Sequence, residues 1–175
     1  GTIADLISYR RKNEQIVNRQ AEKIIISQYG GQWRVIVYKS LIDQIEHLAL
    51  IKGVISEKNT TMVRVHSFNV MNDVFGELNE EKSHNYIHNS MIKISNNGSG
   101  VLILINDSYK DFLSNKLKNS FISKDKDNSN LRNYGVGAQI LSDLGVRKMI
   151  LLSNSQKIAA GIKGFGLSVE KWESL

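Results

Sequence analysis

The stretch LRNYGVGAQILSDLGVRKMILLSN, residues 131–154, decides the fold. From Leu131 to Leu144 its apolar side chains recur at helical intervals, and Gly145 stands where a left-handed cap ends such a helix. RKMILL then reads as a strand, after which Ser153 or Asn154 is placed to cap another helix. Further back, VLILI at 101–105 is continuously apolar, the texture of a strand buried on both faces. A helix around YKDFLSNKLKNSF follows it, and SKDKDNSN (123–130), which has no apolar residue and many turn formers, reads as a loop. Strand, helix, strand and helix in succession imply a parallel sheet.

The chain before this part has a different rhythm. EKIIISQY, QWRVIVYK and EHLALIKG, between Glu22 and Gly53, are β-branched and partly alternating, with a turn at Gly30-Gly31. They read as antiparallel strands, and TMVRVHS adds a strand ending at Ser67. Residues 81–97 read as a helix, although Asn85, Asn89, Asn96 and Asn97 are poor helix formers. Residues 2–20 open with Thr2 and Asp5 at capping-box spacing and read as a short helix leading into a linker. GFGLSV returns to extended structure. The expected class is therefore α/β (α+β): mostly antiparallel strands first, then an αβαβ part with a parallel sheet.

Composition narrows the function classes. At 175 residues the chain has the length of about one domain. Hydrophobic residues make up 41% and charged residues 23%, which excludes a wholly disordered chain. No run approaches the roughly 18 apolar residues of a membrane span, and GTIADLISYRRKNEQ lacks the layout of a secretory signal, so a cytoplasmic protein is expected. The chain contains no cysteine, which removes disulfides, thiolate metal sites and cysteine nucleophiles together. A net charge of +6 favours anionic ligands such as phosphates, but acids interrupt the basic residues, so no nucleic-acid partner is expected.

Several segments resemble the GTP cyclohydrolase II family of riboflavin biosynthesis: YKSLIDQIEHLALIKG (38–53), MVRVHSFNVMNDVFGEL (62–78), LRNYGVGAQILSDLGVRKMILLSN (131–154) and KGFGL (163–167). ADLISYRR, near the start, resembles the end of the dihydroxybutanone phosphate synthase domain that often precedes this one in bifunctional proteins. The resemblance implies residues 1–20 as helix and linker from a preceding synthase domain, and 21–175 as the GTP cyclohydrolase II-like domain. It also implies a synthase domain in the same natural chain and a homodimer.

Members of this family open the purine ring of GTP with a zinc-activated water, release formate and cleave pyrophosphate. Zinc lowers the pKa of bound water from 15.7 to about 7, which supplies hydroxide at neutral pH. The resemblance places the family's three zinc cysteines on Asn69, Glu80 and Lys82, so all three thiolates are missing. The family segment like RQEGRGIGL is replaced by NDSYKDFL (106–113). The NKLR pattern returns as Asn115, Lys116, Leu117 and Lys118, but the tyrosine two residues later is Ser120. The family's proton-accepting aspartate falls on Asn130, whereas its nucleophilic arginine is kept as Arg132. Arg64, His66 and Ser67 match the nucleotide loop, with Phe68 in place of an acid, Ser153 replaces a threonine, and Lys157 falls near a phosphate-binding lysine.

Each residue also has a plainer reading. Arg64 can be a strand-end residue paired with a nearby acid, and Arg132 a solvated charge before a helix. Gly135-Val136-Gly137 lacks the third glycine of a dinucleotide fingerprint, and close backbone packing explains it. Glu80, His84 and His88 recur at helical spacing, but about 12 Å separates the outer two, so a solvated face is the better reading and no metal site is expected. The sequence therefore predicts a GTP cyclohydrolase II-like domain without zinc and without GTP turnover, with Arg132 left as an unsupported nucleophile. Magnesium would enter only with a bound nucleotide. The alternatives are an active GTP cyclohydrolase II and a module that binds GTP or another phosphate ligand through Arg64, His66, Ser67, Ser153 and Lys157. Packing that replaces a metal's contribution is expected in the apolar runs at 46–51, 101–105 and 149–152.

Overall fold

The computed structural model describes residues 2, 9, 14–77, 85–106, 112–118, 126–153, 162 and 165–175. The strands are β1 (Val17–Ser27), β2 (Gly31–Ser40), β3 (Glu46–Lys52), β4 (Thr60–Ser67), β5 (Gly100–Ile105), β6 (Lys148–Leu152) and β7 (Ser168–Glu173). The described helices are α1 (Val70–Asp73), α2 (Tyr86–Asn97), α3 (Phe112–Lys118) and α4 (Lys126–Asp143). All seven strands form one sheet in the order β1-β2-β3-β5-β4-β6-β7. β1, β2, β3 and β5 pair antiparallel, while β5, β4, β6 and β7 run parallel. The expected architecture of an antiparallel first part and a parallel second part is the one observed.

Two apolar layers cover the sheet. Alternation along the strands sends Val63, Val65, Val101, Ile103 and Ile105 toward Val136, Ile140 and Leu141 of α4. The intervening Met62 and Leu102 meet Met91 and Ile94 of α2, together with Trp33 and Leu50. The apolar runs singled out above are the centre of these layers: Ala49, Ile51, Val101, Leu102, Ile103, Met149, Leu151 and Leu152 are all buried. Gly145 is left-handed, with φ 85°, as its position after α4 required. A Cβ at Gly137 would lie 3.3 Å from Val65 Cγ1, so close packing does account for that glycine.

Several boundaries differ from the sequence reading. β1 begins at Val17, so the last residues of the stretch read as linker are strand; Ile16 and Val17 are buried, and Ile16 N–H donates to Gln139 Oε1 (2.7 Å). α4 begins at Lys126, so 126–130 is helix rather than loop. Once the apolar face of 133–144 is docked, extending the helix backwards needs no apolar residue. The helix read over 81–97 is observed from Tyr86, and 78–84 lie outside the described residues, as do Tyr109–Asp111 and Asn119–Phe121 of the next helix. The helix expected after Ser153 or Asn154 also lies outside them. No described helix is long and apolar enough to cross a membrane.

Candidate functional site

The connections of the parallel strands locate the crevice. β4 leads through α2 to β5 on one side of it, whereas β5 leads through α4 to β6 on the other side. Right-handed crossovers in opposite directions put α2 and α4 on opposite faces. β6 in turn leads outward to β7, so the carboxyl ends of β4 and β6 flank a topological switch point, where ligands bind in open α/β sheets.

Arg64 and His66 lie on the α2 face of β4, opposite Leu102 and Leu104 of β5. Arg64 Nη1 donates to the Leu152 carbonyl at the end of β6 (2.9 Å), and its guanidinium carbon lies 5.6 Å from the Tyr86 ring centroid. Its Nε is buried and makes no hydrogen bond to the described residues. Arg64 Nη2 lies 3.3 Å from His66 Nδ1, and His66 Nε2 lies 2.9 and 3.0 Å from the two Asp73 oxygens. Arginine can only donate, so Nδ1 is the acceptor and the imidazole proton sits on Nε2, donated to Asp73. Burial pulls the His66 pKa down, and the neighbouring Arg64 charge adds to this, against the opposing hydrogen bond and charge of Asp73. Burial also lowers the Arg64 pKa, partly countered by Tyr86 and Asp73.

α1 exists because of the residues that close this cluster. Asn69 is its N-cap: its Oδ1 accepts from Met71 N–H (3.1 Å), and its Nδ2 donates to Asn72 Oδ1 (3.2 Å). Asp73, one turn on, reaches back to accept from Asn69 N–H at 2.7 Å. The same carboxylate thus ties the helix to its own first turn and, through His66, to β4.

The zinc implied by the family pattern does not fit these residues. At the first ligand position the Asn69 side chain is committed on both its oxygen and its nitrogen, and no thiolate exists anywhere in the chain. Glu80 and Lys82 lie outside the described residues. Among the described residues no three His, Asp or Glu side chains converge as metal ligands. Glu80 and His84 of the helical constellation are likewise outside, while His88 is stacked on Tyr29 with ring centroids 3.9 Å apart.

The other candidates are dispersed. Ser67 is exposed at the end of β4, and Ser153 is buried just after β6, its N–H donating to the Glu173 carbonyl (2.9 Å). Arg132 lies in α4, about 7.5 Å along the helix axis from Gly137 at 1.5 Å per residue, and on the opposite face of the sheet from Arg64. Asn130 lies in the same helix. Lys157 lies outside the described residues, as do Asp107–Asp111 of the NDSYKDFL segment and Ser120. The structure thus brings Arg64 and His66 together on β4, while Arg132 is carried by α4. The reading of Arg64 as the partner of an acid needs correcting: the acid, Asp73, takes His66, and Arg64 takes a carbonyl and a ring. Asp73 and Tyr86 escaped the sequence reading, although an aspartate four residues after a capping Asn was a signal for the first.

Fold and site together define an α/β domain covered on both faces, with a polar crevice at its strand ends. Over residues 18–173 the chain matches the GTP cyclohydrolase II family, and it belongs to that family. It is 35% identical over 180 residues to the riboflavin biosynthesis protein RibBA of Chlorobium phaeovibrioides, covering 96% of this chain and 43% of that protein. It is 37% identical over 175 residues to the chloroplastic monofunctional riboflavin biosynthesis protein RIBA 2 of Arabidopsis thaliana, covering 96% of this chain and 36% of that one. Among solved structures it resembles RibBX of A. baumannii, described as a two domain 3,4-dihydroxy-2-butanone 4-phosphate synthase, with TM-score 0.68 and 34% identity. That match covers 99% of this chain and 45% of RibBX. The chain spans less than half the length of these relatives.

Proposed function

We propose that this domain serves riboflavin biosynthesis without opening the purine ring of GTP. It would act in the cytoplasm beside a dihydroxybutanone phosphate synthase domain of the same natural chain, through dimerising, stabilising or regulatory contacts. On this reading residues 1–20 belong to the end of that synthase domain, and a second copy of the chain is a partner. The observation that carries it is Asn69. At the position where the family places a metal thiolate, this residue is an N-cap whose side-chain oxygen and nitrogen are both engaged within α1. Ring opening then has no source of hydroxide, and Arg132 has Asn130 where a proton acceptor is needed. RibBX supports the reading, because that relative has two domains and is described by the synthase activity alone.

The test is metal analysis of untreated protein combined with a GTP assay. Less than about 0.1 metal per chain and no formate above the blank, with zinc or magnesium added, is the expected result. A stoichiometric transition metal with sustained turnover that Arg132→Ala abolishes would overturn it. Calorimetry with GTP, GDP and pyrophosphate then separates a structural role from a binding module. Arg64 Nη1 and Nη2 are each held inside the protein and its Nε is buried, so no heat is expected at millimolar ligand.

A further inference from the structure

Where the chain enters the sheet, it is fastened to α4 by two side chains about one helical turn apart. The side-chain amide of Gln139 grips the backbone on either side of residue 15: its Oε1 accepts from Ile16 N–H (2.7 Å) and its Nε2 donates to the Glu14 carbonyl (2.7 Å). In an extended chain these two groups point the same way, so a primary amide holds them as a neighbouring strand would. Asp143, four residues on, accepts from Arg19 Nε (2.8 Å) and from the Tyr38 hydroxyl (2.6 Å). Arg19 Nη2 also donates to the Asp143 carbonyl (3.3 Å), where a cation suits the last turn of the helix.

The fastened stretch ends at a bulge. Arg19 pairs with Tyr38 and Ala21 with Val37, which leaves Gln20 out of the register. The extra residue changes which side chains face α4: Val17 and Arg19 do so before it, Glu22, Ile24 and Ile26 after it. The later three are exposed, so α4 does not cover them, whereas Ile16 and Val17 are buried. Residues 14–19 are therefore held by α4, and 21–27 run on in unbroken register with β2.

We propose that 14–19 is a strap that docks on α4 and releases from it as one unit, hinged at Gln20. When it is docked, α4 carries the chain ahead of Glu14; when it is released, that chain hangs from the hinge. This gives the regulatory contact of the reading above a physical form, and rests on that reading only for what lies ahead of Glu14. The outer fastening is at the surface, with the Arg19 and Asp143 side chains 43% and 38% exposed. The bulge interrupts the ladder, so 14–19 can open without unzipping 21–27. Gln139 and Asp143 share one helix face, about 6 Å apart along the axis, so lifting one end of so short a segment pulls on the other.

The test is amide hydrogen exchange, followed by NMR on the whole chain, in Arg19→Met and Gln139→Met. Each variant removes one polar fastening and keeps an unbranched side chain. The readout is crossed: Ile16 N–H, whose acceptor is Gln139, is followed in Arg19→Met, and the protected amides of 17–19 are followed in Gln139→Met. Release as a unit predicts acceleration of at least about tenfold in both, with the amides of 22–26 and 101–105 within about twofold of the parent. Unchanged rates, or acceleration confined to the altered contact, overturn the proposal, because the fastenings then open separately or not at all. Acceleration that spreads through 22–26 overturns the hinge, and equal acceleration at 101–105 overturns the strap, since the whole domain is then unfolding. No metal or GTP enters the measurement, so GTP turnover would sink the reading above and leave these rates as expected.

Discussion

Replacing Asp73 with alanine removes the carboxylate that ties α1 to β4 through His66. The carboxylate is 5% exposed and its partner His66 is 11% exposed. It accepts from His66 Nε2 at 2.9 and 3.0 Å and from Asn69 N–H at 2.7 Å. Hydrogen bonds to a charged acceptor contribute about 1.5–3 kcal/mol each, so two of them set a ceiling near 6 kcal/mol. Two features lower it. The bonds share one carboxylate and do not add fully, and four-residue α1 can fray to let water reach the freed donors. Burial disfavours the charged form of His66, so the variant strands no imidazolium, although buried Arg64 loses the attraction of the Asp73 charge. A loss of about 3 kcal/mol is expected, and at roughly 2–4 °C per kcal/mol for a domain of this size Tm falls by about 6–12 °C. Asp73→Asn keeps the shape and one acceptor, and is expected to lose about half as much. The measurement is thermal unfolding followed by circular dichroism, with and without a chelator. The chelator is expected to move neither the parent nor the variant, because a carboxylate rather than a metal closes this loop. A Tm for Asp73→Ala within about 2 °C of the parent would refute the reasoning.

Two further outcomes follow from the same region. Burial holds the His66 pKa below its ordinary value of about 6.5, so as pH falls the unfolded chain takes up the proton first. The stability this site provides is whole above about pH 6.5 and declines as pH drops toward the folded-state value, so the gap between the urea midpoints of the parent and His66→Asn narrows from pH 7.5 to 5. A gap that widens on acidification would show that the ring is charged in the fold. At Gly100 an added Cβ would lie 2.6 Å from the Met62 carbonyl oxygen and 2.8 Å from Ile94 Cγ2, so Gly100→Ala is expected to lose about 1–3 kcal/mol in chemical denaturation. An unchanged midpoint would mean that β4, β5 and α2 can separate there at little cost.

The parallel half of the fold was legible because burial on both faces leaves a plain mark. VLILI and KMILL have no polar alternation, and Gly145 punctuates the helix between them. The order of the strands was not legible. β5 enters between β3 and β4, joining the antiparallel and parallel halves through pairs such as Leu48 with Leu104, and no local period records a pairing so distant in sequence. The start of β1 was hidden for the opposite reason: 18–23 is an exposed edge, so NRQAEK shows no apolar alternation although all of it except Gln20 pairs with β2. In the site, Arg64 and His66 stood out because they sit in a motif. Asp73 and Tyr86 reach them only through α1 and the start of α2, a proximity that the sequence does not display.

If the domain lacks the family's metal, as proposed above, the positions of these residues account for a fold that needs none. A structural zinc can contribute on the order of 10 kcal/mol, but only to the segments its ligands join. Here Asn69, the described one of the three positions, follows the carboxyl end of β4, whereas the buried runs of β3, β5 and β6 occupy the sheet's middle. On the reading proposed above, the need that remains at Asn69 is local, the anchoring of the chain after Ser67. Asn69 and Asp73 answer it with a cap and a carboxylate held by His66, side chains that need no ion. The answer also occupies the crevice. His66 and Arg64, which line the switch point, now hold Asp73 and the Leu152 carbonyl, so the contacts that order the loop are made by the groups a nucleotide would need. On the proposed reading, a cysteine introduced at position 69 would therefore not restore a ligand by itself, because it would remove the cap that holds α1.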